Sequence, residues 1–141
     1  MGLYQDYKIQ GFGLVGVMIS VSVVALLLRL AIPNLLRERM TSNQATARAT
    51  LKTISTALET YTSDKDIGYP TDISVLLSGN PAYLNNNYLL ESPIEGYNYG
   101  CDFLEVSGYD CSATPEHCNK SGSKIYTVTT GGAFKERNCS E

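Results

Sequence analysis

Apolar residues are spread unevenly along this chain. From Gly11 to Leu36 they form an almost unbroken run, GFGLVGVMISVSVVALLLRLAIPNLL. At about 1.5 Å of rise per residue such a run is long enough to cross a bilayer as a helix. Pro33 near its end removes one backbone hydrogen bond and predicts a kink. The helical period then continues, with Ala47, Leu51, Ile54, Leu58 and Tyr61 on one stripe and Lys52, Thr56 and Glu59 off it. This is the pattern of an amphipathic helix that packs on its own sheet. The small residues between Thr41 and Thr50 suit a face that comes close to neighbours. A continuous helix from Phe12 to Thr62 would extend about 75 Å. That is more than a domain of this size needs, and it points to a packed filament.

The break comes at Ser63–Pro70, where charged residues are followed by Gly68-Tyr69-Pro70. Thr71 or Asp72 can cap a short helix reaching Leu77, and Ser78-Gly79-Asn80-Pro81 stops it. Tyr83 to Tyr88, with three consecutive asparagines, reads as a polar loop rather than a carbohydrate-binding surface. From Gly96 the period changes to two. Tyr97, Tyr99, Cys101 and Phe103 share one face, Tyr109, Cys111 and Ala113 repeat the alternation after a turn near Ser107-Gly108, and Ile125 to Thr130 supplies a further strand. The expected fold is α+β: a long N-terminal helix, its first half for membrane and assembly and its second half amphipathic, packed on a small three-stranded antiparallel sheet. The corresponding divisions are a leader at 1–11, the hydrophobic helix at 12–36, its amphipathic half at 37–62, a globular head at 63–134 and a polar tail at 135–141.

Charge sharpens this division. Of the 141 residues, those from Asp64 onward hold eleven carboxylates against five lysines and arginines. An acidic head with no cluster of lysines repels nucleic acid, so none is expected as a partner. Arg29 interrupts the apolar run seventeen residues after Phe12, where it can snorkel to the far interface as an anchor. The alternative is an ion pair with a neighbouring subunit. The leader holds Lys8 and Asp6 and no Ala-x-Ala cleavage pattern, unlike a secretory signal peptide. An uncleaved anchor is the plain alternative. Arg29, Arg37 and Arg39 beyond the span would by the positive-inside tendency face the cytoplasm, whereas the cysteines argue for the opposite orientation.

Those cysteines, Cys101, Cys111, Cys118 and Cys139, all fall in the head. An even number in a small sheet with a thin core reads as two disulfides, each worth roughly 2–4 kcal/mol. No Cys-x-x-Cys pair occurs, and His117 beside Cys118 is poorly placed as a second ligand, so no metal is expected. The reading leans to Cys101–Cys118 and Cys111–Cys139, the latter stapling the tail to the sheet. A Cys101–Cys111 cross-strand bond stays open, because both side chains fall on one face.

The N-terminal pattern resembles that of type IV pilins and type II secretion pseudopilins. The matching residues are Gly11-Phe12, the apolar helix, and Ala31-Ile32-Pro33-Asn34-Leu35-Leu36 followed by arginines. Gly68-Tyr69-Pro70, Gly96-Tyr97, Pro115 and Thr129-Thr130-Gly131-Gly132 are similar to the turns and strands of the family's head. The resemblance implies that a prepilin peptidase cuts after Gly11 and methylates Phe12. It also implies a single-pass precursor held in the lipid of a bacterial inner membrane, and an extracellular or periplasmic filament built through the helix. The chain departs from the family at Gly16, where a glutamate normally neutralises a neighbour's free amine. Some minor tip pseudopilins share that departure. Gly13 and Gly16 also permit close helix approach. Asn119-Lys120-Ser121 and Asn138-Cys139-Ser140 match the N-glycosylation pattern, a modification uncommon in bacteria.

For catalysis the sequence offers no nucleophile elbow, no phosphate-cradling glycine loop and no His-Glu-x-x-His. No enzyme activity and no cofactor are expected. Three functions remain: a filament subunit, a minor tip or initiating subunit that binds a partner, and a single-span anchored sensor or binding domain.

Overall fold

The computed structural model describes residues 13–140. One helix, α1, runs Leu14–Lys65 and continues through Pro33. The chain divides into two units, one ending at Leu35 and the other beginning at Leu36. In the first unit α1 is a bare apolar surface. Leu14, Val15, Met18, Val21, Leu26 and Leu30 each keep 60% or more of their surface exposed. The hydroxyls of Ser20 and Ser22 donate to the carbonyls of Gly16 and Met18, one helical turn back, at 2.9 and 2.8 Å. Their polarity is thereby spent within the helix.

In the second unit the remainder of α1 lies against a meander of four antiparallel strands in the order β1-β2-β3-β4: β1 Tyr97–Glu105, β2 Gly108–Pro115, β3 Lys124–Thr129 and β4 Ala133–Asn138. The helical stripe read from the sequence is the buried face, with Ala47, Leu51, Ile54 and Leu58 fully buried and Tyr61 packed at the margin. Opposite it stand Tyr97 and Tyr99 of β1, Tyr109, Cys111 and Ala113 of β2, and Tyr126 and Val128 of β3, all buried. Before β1 a one-turn helix, α2 (Ser74–Leu77), contributes Leu76 to the core. The Asp72 carboxylate accepts the Ser74 amide at 2.7 Å, and the Ser74 side chain first and this amide second hold its pKa below its ordinary value.

Two features differ from expectation. The sheet has four strands rather than three, because most of the segment read as a polar tail is β4. Only Phe134 carries an apolar signal there, half-buried between the Tyr126 ring and the Arg48 guanidinium. An edge strand needs no more, since its other face is wet and its charges stay in water. The second difference is in β1. The ladder pairs Cys101 with Cys111 but Phe103 with Asp110, so Asp102 is an extra residue. This bulge reverses the alternation: Phe103, expected inside, is 40% exposed, and Leu104 packs against the core instead.

Removing the Leu51 side chain from a fully buried position should cost about 2–5 kcal/mol, read as a lower urea midpoint for the detergent-solubilised chain. The Tyr99 hydroxyl is buried and meets no hydrogen-bond partner of good geometry among the described residues. Tyr99→Phe should therefore leave the midpoint unchanged or raise it.

Candidate functional site

The surface with the clearest chemistry is the first unit's helix. It is long and apolar enough to cross a membrane, and none of its most apolar window is buried. Gly16, Arg29 and Pro33 all lie on it, exposed except for Gly16, which is partly covered. The carbonyl of Gly16 is occupied by Ser20. Arg29 forms no salt bridge among the described residues. Gly11 and Phe12, the expected processing residues, fall outside the described residues, as do the rest of the leader and Glu141.

The second unit supplies a head whose parts are locked together by a carboxylate. Glu59 stands one residue beyond Leu58, at the edge of the buried stripe. Its Oε1 accepts the Tyr109 hydroxyl at 2.9 Å and the Gly131 amide at 2.8 Å, and the Tyr69 hydroxyl lies 3.1 Å from both carboxylate oxygens. An ionised carboxylate only accepts, so the single Tyr109 proton goes to Glu59 and the Ser55 hydroxyl donates to the Tyr109 oxygen at 2.8 Å. The Gly132 amide donates to the same oxygen at 3.2 Å. Gly131 holds a φ of 77°, which turns its amide toward Glu59 at a backbone conformation that glycine alone adopts without strain. Helix, turn, sheet and β3–β4 connection thus meet at one side chain. Lower on α1, Asn43 donates to the Ser121 carbonyl at 3.0 Å and Gln44 to the Ser123 hydroxyl at 3.1 Å.

The network leaves its mark on the phenols. Burial pushes Tyr109 up to about 12, the Ser55 hydroxyl works the other way, and Glu59 raises it further. Burial likewise carries Tyr97 to about 12, with Tyr126 adding to the effect. Tyr69 is raised by burial first and by Glu59 second.

All four cysteines are in disulfides, but the pairing corrects the one favoured from sequence. Cys101 bonds Cys111, its directly opposite neighbour in the ladder, and Cys118 bonds Cys139. The cause is β4. Its antiparallel return beside β3 pairs Lys124 with Asn138 and brings the Cys139 amide to the Ser123 carbonyl at 2.9 Å, next to the loop that holds Cys118. The tail is stapled, as expected, but to that loop rather than to β2. His117 is exposed, and its backbone bonds to Lys120 and Ser121. In the asparagine run, Asn87 uses its side-chain oxygen to accept the amides of Leu89 and Leu90, shaping a turn.

Sequence reasoning passed over Glu59, because a charged residue beside an apolar stripe ordinarily faces solvent. The available signal was the glycine pair Gly131-Gly132, whose freed amides need an acceptor. Tyr109→Phe should cost about 1–3 kcal/mol, since it strands two donors and leaves Glu59 short of one. Stability should also fall between about pH 10 and about 12: the unfolded tyrosines release protons through the lower value while Tyr97 and Tyr109 hold theirs to the higher one. In Tyr109→Phe that alkaline loss should shrink, as measured by urea unfolding against pH alongside phenolate absorbance.

No family model matches the chain. It is 37% identical over 57 residues to the type IV major pilin protein PilA of Myxococcus xanthus (strain DK1622), a match covering 40% of this chain and 26% of that protein. The chain thus spans about a quarter of the length of the relative it matches. In sequence it is similar to a type IV pilin, and in architecture, a long apolar N-terminal helix with an antiparallel sheet packed on its second half, it is pilin-like.

Proposed function

We propose that this chain is a structural subunit of a type IV pilus or of a type II secretion pseudopilus. The observation that carries the reading is the first unit of α1, an apolar helix left exposed among the described residues. Similarity to a major pilin supports it. On this reading residues 12–36 hold the precursor in the inner membrane as a single span. Prepilin peptidase removes residues 1–11 after Gly11 and methylates Phe12. The apolar helices of many copies then replace lipid as one another's cover, and residues 63–134 form what the filament shows outside the membrane. Arg29 anchors at the interface before assembly. No cofactor and no catalytic group enter this role.

Gly16 favours a second reading, a minor tip or initiating subunit. A helix that lacks a carboxylate at this depth cannot neutralise a neighbour's amine, so its docking is weaker than that of a subunit which has one.

Protein from cells that assemble the filament should have the mass of residues 12–141 plus one methyl group, and it should appear in the sheared filament fraction. Retention of the first eleven residues by protein that never polymerises would reduce the helix to a plain anchor. Gly16→Glu should raise the amount incorporated severalfold under the tip reading, and unchanged incorporation would remove that reading.

A further inference from the structure

We infer that the heads of neighbouring copies dock as knob and groove, the Leu90-Glu91 turn of one copy entering the groove between α1 and the loop at 78–83 of another. The inference rests on the filament reading above and names a contact between heads, separate from the apolar helices.

The knob is a leucine held out in water. Leu90 is 82% exposed, the barest large apolar side chain described in the second unit. Its backbone is nonetheless fixed. The Asn87 carbonyl accepts the Leu90 and Glu91 amides, each at 3.1 Å, the Asn87 side chain accepts the Leu89 and Leu90 amides, and Tyr88 and Leu89 of the same turn pack against the core. An apolar side chain on a fixed turn loses little freedom when something covers it, which is what an interface anchor needs. Glu91 beside it is exposed. No lysine or arginine occurs from residue 66 to residue 119, so the turn carries its charge without a cation from its own stretch of chain.

The groove has a volume of about 890 Å³ and lies between residues 49–65 of α1 and the loop at 78–83. Ala57, Val75, Pro81 and the edge-to-face rings of Tyr61 and Tyr83, 5.5 Å apart, give it an apolar lining. The hydroxyls along it already donate elsewhere. Thr53, Thr56 and Thr60 donate to carbonyls one helical turn back at 3.0, 2.9 and 2.7 Å, Ser78 to the Val75 carbonyl at 3.0 Å, and Tyr83 to Asp64 at 3.0 Å. A sugar or other polar ligand would find few donors there, whereas an apolar side chain displaces water without stranding one. Lys52 and Lys65 stand on the rim, exposed and in no salt bridge among the described residues. Asp64, the only carboxylate among the described lining residues, is engaged by Tyr83.

The two surfaces match in both respects: an exposed leucine followed by a carboxylate, and an apolar groove rimmed by two ammonium groups. They do not meet within one copy. Leu90 lines a different, smaller cavity of about 510 Å³ with Leu104 and Cys101, and it is not part of the groove's lining. The occupant that fits the groove is thus the same turn on another copy. Each such contact leaves one knob and one groove unused, so it can repeat along a fibre.

The test uses the full-length chain in cells that assemble the filament. With a benzophenone side chain in place of Leu90, irradiation of sheared filaments should yield dimers, and peptide mapping should place the cross-link within 49–65 or 75–83 of the second copy. Two substitutions act on the two surfaces separately: Leu90→Asn removes the knob and Ala49→Phe fills the groove. Each should lower the filament yield by about fivefold. The urea midpoint of the detergent-solubilised chain should stay level, because both positions are exposed. If Ala49→Phe lowers the midpoint, Lys52→Glu replaces it. That variant should lower the yield by about threefold, and adding Glu91→Lys to it should restore about half of the loss or more. Dimers cross-linked elsewhere on the second copy, cross-links to a different protein, or yields unchanged by both substitutions overturn the docking. Absence of filaments from the unaltered chain overturns the filament reading itself, before any variant is compared.

Discussion

The constraint on which everything else depends is that fifteen large apolar side chains between Leu14 and Leu36 find no cover among the described residues. Burying each would be worth about 1.5–3 kcal/mol, so leaving all of them in water forfeits tens of kcal/mol. A domain's whole net stability is only about 5–15 kcal/mol. Water is therefore excluded as the helix's resting environment, and only lipid or other apolar helices can take its place. Lipid tails are as apolar as leucine, so transfer from membrane to helix bundle gains little from hydrophobicity itself. Close packing and polar contacts decide it instead. This is why Gly13, Gly16 and the inward-bonded Ser20 and Ser22 matter: they let helices approach without exposing an unsatisfied group.

The proposed filament role would also require the head to hold one fixed arrangement, and the second unit meets that requirement. The apolar stripe Ala47-Leu51-Ile54-Leu58 supplies cohesion that has no direction, while Glu59 supplies direction. Its three donors come from the loop after α1, from β2 and from the β3–β4 connection, so sliding the helix along the sheet would break all of them together. The Asn43 and Gln44 bonds fix the register nearer the other end of the packed face.

Much of this was legible because it rests on period and length. The apolar run, the stripe from Ala47 to Tyr61, and the alternation at Tyr97-Tyr99 and Tyr109-Cys111-Ala113 each repeat often enough to override local exceptions. What was not legible depends on single residues or on partners distant in sequence. One extra residue at Asp102 inverts the side-chain phase after it, and nothing in the residue type announces the inversion. β4 lies on an edge with one half-buried aromatic, so its pattern is that of a polar tail until β3 is placed beside it. The disulfide partners followed from that omission, since Cys139 reaches Cys118 only when β4 returns along β3. Glu59 was hidden for a related reason: its three donors lie ten, fifty and seventy-two residues away.

The sheet edges bear on assembly as much as the helix does. An open edge offers unpaired amides and carbonyls to another chain, and a small head with two such edges could associate through them in competition with α1. Both edges are blunted. On β4 the sequence Lys135-Glu136-Arg137 places charges along the strand, and the Cys118–Cys139 bond ties down its end. On β1 the Ser92 hydroxyl accepts the Tyr99 amide at 2.8 Å, the Ile94 backbone pairs with Tyr97, and the Asp102 bulge distorts the remainder of the strand. With strand pairing suppressed on both sides, the proposed filament contact is left to the apolar helix and the Leu90 turn. On the proposed filament reading, association takes a geometry in which helices run side by side, and the blunted sheet stays out of it.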